Sequence, residues 1–288
     1  MKNIPSLFLL LLACAAPATG AASTLVASYG DLILGFQASG GTGAATNLEV
    51  DLGSIAQFSG LPANTTFTIG GLSVQDLIAV FGSDWNTRDD LTWGIAGTTG
   101  ATQSLSVNGT TIAAKTLWGS RAETTAGVQS TPWTRGSTFA QQGPANTISS
   151  LYLGPTGSLN GKTSTTNSLT AAALDNTVAG SWTQQEGATP AAFGYFNGSF
   201  NNGVNFSTIV GTFAVSDLYQ LQPGSGAATY VGSFGLNSAG LLEFSNSFAV
   251  FGLGAVPEPA TDAVLAGALV LGFGLVRRRR AGGAAPAA

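Results

Sequence analysis

The chain has 288 residues, no His, one Cys (Cys14) and only 8% charged residues, against roughly a quarter charged in ordinary soluble domains. Without imidazole there is no Ser-His-Asp triad, no His-ligated zinc and no His general base, and a lone Cys allows no internal disulfide. Between residues 21 and 256, five bases stand against twelve acids, a net of −7. Such a body has no basic patch to neutralise phosphates, so nucleic acid is excluded as a partner.

The chain opens with Lys2 and then an apolar run over residues 4–13 with Leu7, Leu9, Leu10, Leu11 and Leu12 at its centre. One positive charge followed by about ten apolar residues fits a secretory signal peptide, and the run is too short for a bilayer, which takes about 20 residues. Small residues offer cleavage before Ala21 (Ala18-Thr19-Gly20) or before Ser23 (Gly20-Ala21-Ala22). The expected division is a signal peptide at 1–20 and an exported body at 21–255. Leu11-Leu12-Ala13-Cys14 loosely resembles a lipobox, with Leu12 out of pattern, so acylation of Cys14 stands as the alternative processing.

The body reads as β-rich. Residues 24–29 and 31–36 are short apolar and β-branched runs, and 47–52 alternates polar and apolar strictly, the period of a half-buried strand. Residues 66–69 do the same and stop at Gly70-Gly71. Ser73 to Asp76 can cap a helix whose stripe is Val74, Leu77, Ile78 and Phe81, ended by Gly82. Further strands are expected at 91–96, 104–107, 111–118 and 148–153. A second helix is expected at 168–178, helped by Ala171, Ala172 and Ala173. Residues 154–179, rich in Ser, Thr, Gly and Ala, read as a surface loop, with a glycosylated segment as the alternative. Strands at 209–219 and 229–236 follow, and the last two strands form a hairpin: 230–236, the turn Asn237-Ser238-Ala239-Gly240, then 241–244. The expected fold is all-β, a mainly antiparallel sandwich or jelly-roll-like domain with one or two short helices.

Pro257-Glu258-Pro259 ends the body. Two prolines flanking a Glu hold the chain extended. Residues 263–276 carry no charge, and Arg277, Arg278, Arg279 and Arg280 follow. As a helix this run spans roughly 21 Å against about 30 Å of hydrocarbon, and snorkelling arginines close part of the gap. The arginines fix the cytoplasmic side, which places the body outside. A plain tail anchor is the alternative.

Pro-Glu-Pro, a short apolar helix and an Arg cluster in this order resemble the PEP-CTERM sorting signal, carried by exported substrates of exosortases, membrane-embedded transpeptidase-like enzymes of bacteria that make extracellular polysaccharide. The resemblance covers 256–280, with 281–288 as a cytoplasmic tail. Asp262 and that tail depart from the pattern without breaking it. It implies an exosortase-type partner that recognises Pro257, Glu258 and Pro259, and a membrane stop at Arg277 to Arg280. It also implies a precursor anchored in the membrane by its C-terminal helix before release to the cell surface or medium. The stretch from Phe213 to Tyr219 with Pro223-Gly224-Ser225-Gly226, the final hairpin and Leu91 to Gly97 resemble exported proteins bearing the same signal. No activity carries over from them.

Three features of the body could bear chemistry. Asp84, Asp89 and Asp90 are candidate Ca²⁺ ligands, but Arg88 stands where a calcium loop needs an oxygen and the loop Gly is missing. No metal or cofactor is therefore expected. Trp85, Trp93, Trp118, Trp133 and Trp182 could stack on sugar rings if exposed. A pair of carboxylates could hydrolyse glycosides without His. The resulting expectation is a non-catalytic structural or adhesive component of the cell surface or matrix, associated with exopolysaccharide. The alternatives are a carbohydrate-binding module delivered the same way and a carboxylate-based hydrolase.

Overall fold

The computed structural model describes residues 22–24, 27–123, 133–152, 156–158, 171–186 and 213–247. All of them fall in the first of two units, 1–249 and 250–288. Residues 1–20, the expected sorting motif Pro257-Glu258-Pro259 and the four arginines 277–280 lie outside the described residues.

In chain order the strands are β1 (Ala22–Thr24), β2 (Asp31–Ala38), β3 (Thr46–Ser54), β4 (Thr66–Ile69), β5 (Leu91–Thr98), β6 (Leu105–Val107), β7 (Thr110–Ile112), β8 (Leu117–Glu123), β9 (Thr156–Ser158), β10 (Ala171–Asp175), β11 (Phe213–Leu221), β12 (Thr229–Asn237) and β13 (Leu242–Ser245). The helices are α1 (Val74–Phe81), α2 (Gln142–Ser149) and α3 (Trp182–Glu186), with 3₁₀ turns at Ile55–Gln57, Trp85–Thr87 and Ser150–Tyr152. Nine strands form one sheet in the order β10-β3-β2-β5-β8-β11-β12-β13-β4, and every pairing in it is antiparallel. The fold is thus mainly antiparallel β, built on a single curled sheet where two stacked sheets were expected. Curling has a local cause: bulges at Asp31/Ile33 and Leu218/Tyr219 add twist.

Strand alternation sorts the side chains into two cores. Leu32, Leu34 and Phe36 of β2 and Leu48, Val50 and Leu52 of β3 face the enclosed side. Phe58, just past the first 3₁₀ turn, reaches Phe67 of β4, Phe234 of β12 and Phe244 of β13 at ring-centroid distances of 6.0, 5.4 and 5.1 Å. Strands from both ends of the sheet therefore share one core. On the outer face, Ile33, Ala172, Leu174, Tyr219 and Leu221 are covered by Trp133, Ala145, Ile148, Leu151, Tyr152 and Trp182.

Helix α1 forms where its cap and stop were read. Ser73 Oγ accepts from the Gln75 N–H at 3.2 Å, and Gly82 ends the helix at φ +94°, donating its N–H to the Ile78 carbonyl. Its buried stripe is Leu77, Val80 and Phe81 together with Asp76, while Ile78 is 36% exposed. The stripe is thus rotated from the expected Val74–Leu77–Ile78–Phe81 set. The hairpin of β12 and β13 also forms as read, its turn held by Asn237 Oδ1, which accepts from the Ala239 and Leu241 N–H groups at 2.9 Å each.

Other expectations fail for physical reasons. The expected helix at 168–178 contains strand β10, which pairs with β3. Its alanines are buried, and small side chains that fit there outweigh helix propensity. The expected strand at 148–153 is the end of α2 and a 3₁₀ turn; Ile148, Leu151 and Tyr152 have the i, i+3, i+4 spacing of one helical face. Helix α2 was unexpected because Gly143 and Pro144 punctuate it, yet Pro is tolerated in a first turn, where its missing N–H costs nothing. The run 111–118 splits into β7 and β8 at Lys115, whose φ is +65°. The expected loop at 154–179 includes β9 and β10, and of the described residues of the first run, 24 and 27–29, Thr24 alone is in a strand.

Candidate functional site

The loop read as a calcium candidate is a cationic clamp. Arg88 Nε and one terminal nitrogen meet both carboxylate oxygens of Asp90, at 2.8 and 2.6 Å. The remaining donors satisfy the carbonyls of Gly40 (2.7 Å), Thr42 (2.5 Å) and Phe81 (2.8 Å). Arg88 thereby ties the β2–β3 turn to the end of α1, and its hydrogen bond holds the Asp90 carboxyl below the usual carboxylate range. A carboxylate held bidentately by a guanidinium is a poor cation ligand. Asp84 and Asp89 are exposed, and the Asp84 carbonyl accepts from Thr87 Oγ1 at 3.0 Å. Among the described residues no three acidic, Cys or His side chains converge as metal ligands.

All five tryptophans are buried: Trp85, Trp93, Trp118, Trp133 and Trp182 are between 0 and 7% exposed. None presents a ring face for stacking against a sugar.

Two shallow grooves flank Phe58. One, of about 380 Å³, runs between residues 51–53 of β3 and residues 67–71 from β4 onward, with Gln57 at one side. The other, of about 290 Å³, is lined by residues 58–61, Gln220, Thr229, Tyr230, Val231 and Asn246. Asp51 is the one carboxylate lining either groove. Burial pushes its carboxyl up to about 6, the Gly53 N–H donates to Oδ1 at 2.7 Å in partial compensation, and neighbouring Asp31 raises it further. Asp31 is itself raised by burial, offset in part by the Ser28 N–H at 2.7 Å. Glycoside hydrolysis needs two carboxyl groups about 5–10 Å apart across the substrate, and neither groove supplies the second.

Two further acids lie under the outer cover, and no motif in the sequence marks their burial. Asp217 is 0% exposed. It accepts from Ser233 Oγ and, at 3.4 Å, from the Tyr219 hydroxyl, while the Tyr230 hydroxyl pairs with Ser233 Oγ at 2.7 Å. Its register neighbour on β8 is Arg121. Glu49, also 0% exposed, lies opposite Gly35 of β2 and Ala172 of β10. Strict alternation in 47–52 marks Glu49 as facing away from the enclosed core; it cannot show that a distant helix covers that face. Comparison with protein-family models, with curated proteins and with solved structures found no match to this chain.

Proposed function

We propose that the chain is an exported cell-surface or extracellular-matrix protein, processed by an exosortase-type enzyme at Pro257-Glu258-Pro259. Its body is a non-catalytic structural or adhesive component associated with exopolysaccharide. The reading includes a signal peptide at 1–20 and one transmembrane helix built on 263–276. The observation that carries it is the ordered run of Pro-Glu-Pro, fourteen uncharged residues and four arginines after the body. The prolines present an extended backbone that a peptide-binding cleft can take up with little ordering cost, and Glu258 offers one charge to a cationic partner. Two features of the body favour a non-catalytic role: the tryptophans are spent on packing, and each groove holds at most one carboxylate. No described helix is long and apolar enough to cross a membrane.

The test replaces Pro257, Glu258 and Pro259 together by alanine, which leaves hydrophobicity and topology nearly intact. The mass and fractionation of the protein are then read in cells with and without the sorting enzyme. The variant should stay full-length at its C-terminus and remain in the inner membrane, as wild type should in cells lacking the enzyme. Maturation of the triple variant at the wild-type rate would replace this reading with a plain tail anchor.

A further inference from the structure

Helix α3 packs on the outer face of β2 and β3, over Glu49. The Trp182 indole occupies the space above Gly35, where an added Cβ would fall 1.9 Å from the ring. Trp182 is 0% exposed and its Nε1 has no hydrogen-bond partner. Thr183 fastens the helix through three bonds. Its N–H donates to Asn47 Oδ1 at 2.9 Å, and its hydroxyl accepts from Asn47 Nδ2 at 2.8 Å and donates to Gln37 Oε1 at 2.9 Å.

Glu49 lies beneath this cover, and neither of its carboxyl oxygens has a hydrogen bond of ordinary geometry. Burial pushes its carboxyl up to about 8, and the opposing pull of the Trp182 backbone N–H is the smaller effect. Among the described elements packed around it, no base stands opposite Glu49. The charged residues of β2, β3, β10 and α3 are Asp31, Glu49, Asp51, Asp175 and Glu186, every one an acid. The nearby Ser150–Tyr152 turn adds only a phenol, that of Tyr152, which is fully buried and raised well above the usual tyrosine range. A carboxylate left without a partner here is costly, and movement of the indole off Gly35 would readmit water to it.

We propose that α3 is a pH-operated cover: when Glu49 gives up its proton to solvent, Trp182 leaves Gly35, the Thr183 clamp opens and the sheet face beneath is exposed. The exposed surface is a slot one indole wide, floored by Gly35 and Ala172 and edged by the amides of Gln37 and Asn47. It is absent at neutral pH and present in alkaline surroundings.

The experiment follows tryptophan emission of the full-length chain from pH 6 to 10, with far-UV circular dichroism recorded in parallel. Wild type should show a red shift centred near pH 8 while its strand signal persists. Glu49→Gln, which keeps the shape of the neutral acid, should show none. Trp182→Phe should lose the emission change because the reporting ring is gone. Thr183→Ala removes clamp bonds and should move the wild-type midpoint down by about one pH unit. An unchanged red shift in Glu49→Gln, a flat wild-type trace to pH 10, or loss of the strand signal together with the shift would each overturn the proposal.

Discussion

The two faces of the curled sheet solve the same burial problem with different materials. The enclosed face is apolar and aromatic: Phe58, Phe67, Phe234 and Phe244 meet ring against ring. The outer face is buried almost as completely, but Asn47, Glu49, Asp217 and Ser233 lie among its apolar residues, and short helices and loops cover it. Where rings and aliphatic side chains meet, packing sets the loss on truncation, so that loss should be alike at every pH. A covered face that includes acids is limited by what the cover allows those acids to become. With no disulfide available, the enclosed face must hold the body together, and the outer face is where solution conditions act.

The difference can be tested by removing one element from each region. The largest effect belongs to the enclosed face. Phe244→Ala removes a ring that contacts three others and should cost about 3–5 kcal/mol in urea melts, by the same amount at pH 5 and pH 8.5. A loss that varied strongly between those conditions would break the comparison. The outer face should behave in the opposite way. Glu49 is raised from 4.5 to about 8 in the folded chain. The folded state therefore binds the proton more tightly than the unfolded state, and stability falls as pH rises between those values. Glu49→Gln should match wild type below about pH 4.5 and gain on it steadily above. By pH 8.5 the gap should be about 4–5 kcal/mol. Parallel melting curves for the two proteins from pH 4 to 8.5 would remove the distinction.

The smallest effect separates ion pairing from carbonyl capping in the Arg88 loop. Asp90→Asn should cost less than about 1 kcal/mol, because the pair is partly solvated. Arg88→Met leaves the carbonyls of Gly40, Thr42 and Phe81 without their donor and should cost about 2 kcal/mol. Equal losses would mean that the charge pair, rather than the capping, holds the loop.

What could be read from the sequence was local. The alternation in 47–52, the Ser73 cap with its Gly82 stop and the Asn237 turn all draw on neighbours within a few residues, and each formed where expected. What failed depended on residues far away. Ala171 to Ala173 favour a helix until β3 offers a ladder and Trp182 a roof. Arg88 reads from the sequence as an obstacle to calcium, and its carbonyl partners at Gly40 and Thr42 lie some 46–48 residues away. Glu49 looked like an ordinary solvated position on a half-buried strand. Its burial depends on a residue 133 positions later, and no pattern within β3 encodes that. The proposed sorting motif is the reverse case: the features that suggest it, Pro-Glu-Pro, an uncharged run and four arginines, all lie within 25 residues.

The pairing of β4 sets the timetable by which the body can mature. Among the described residues its ladder partner is β13, and the hydroxyls of Thr66 and Ser245 meet at 3.0 Å across 179 positions of chain. On the proposed export route, a polypeptide threaded through a membrane N-terminus first would present β4 early and leave that strand waiting. The roll could close only once residue 245 had emerged, just ahead of the motif at Pro257. Closing so long a loop is slow and contributes nothing until it is complete. The β4 edge of the sheet would therefore stay without its β13 ladder through nearly the whole passage. Closure of the sheet would then coincide with arrival of the proposed C-terminal signal at the bilayer.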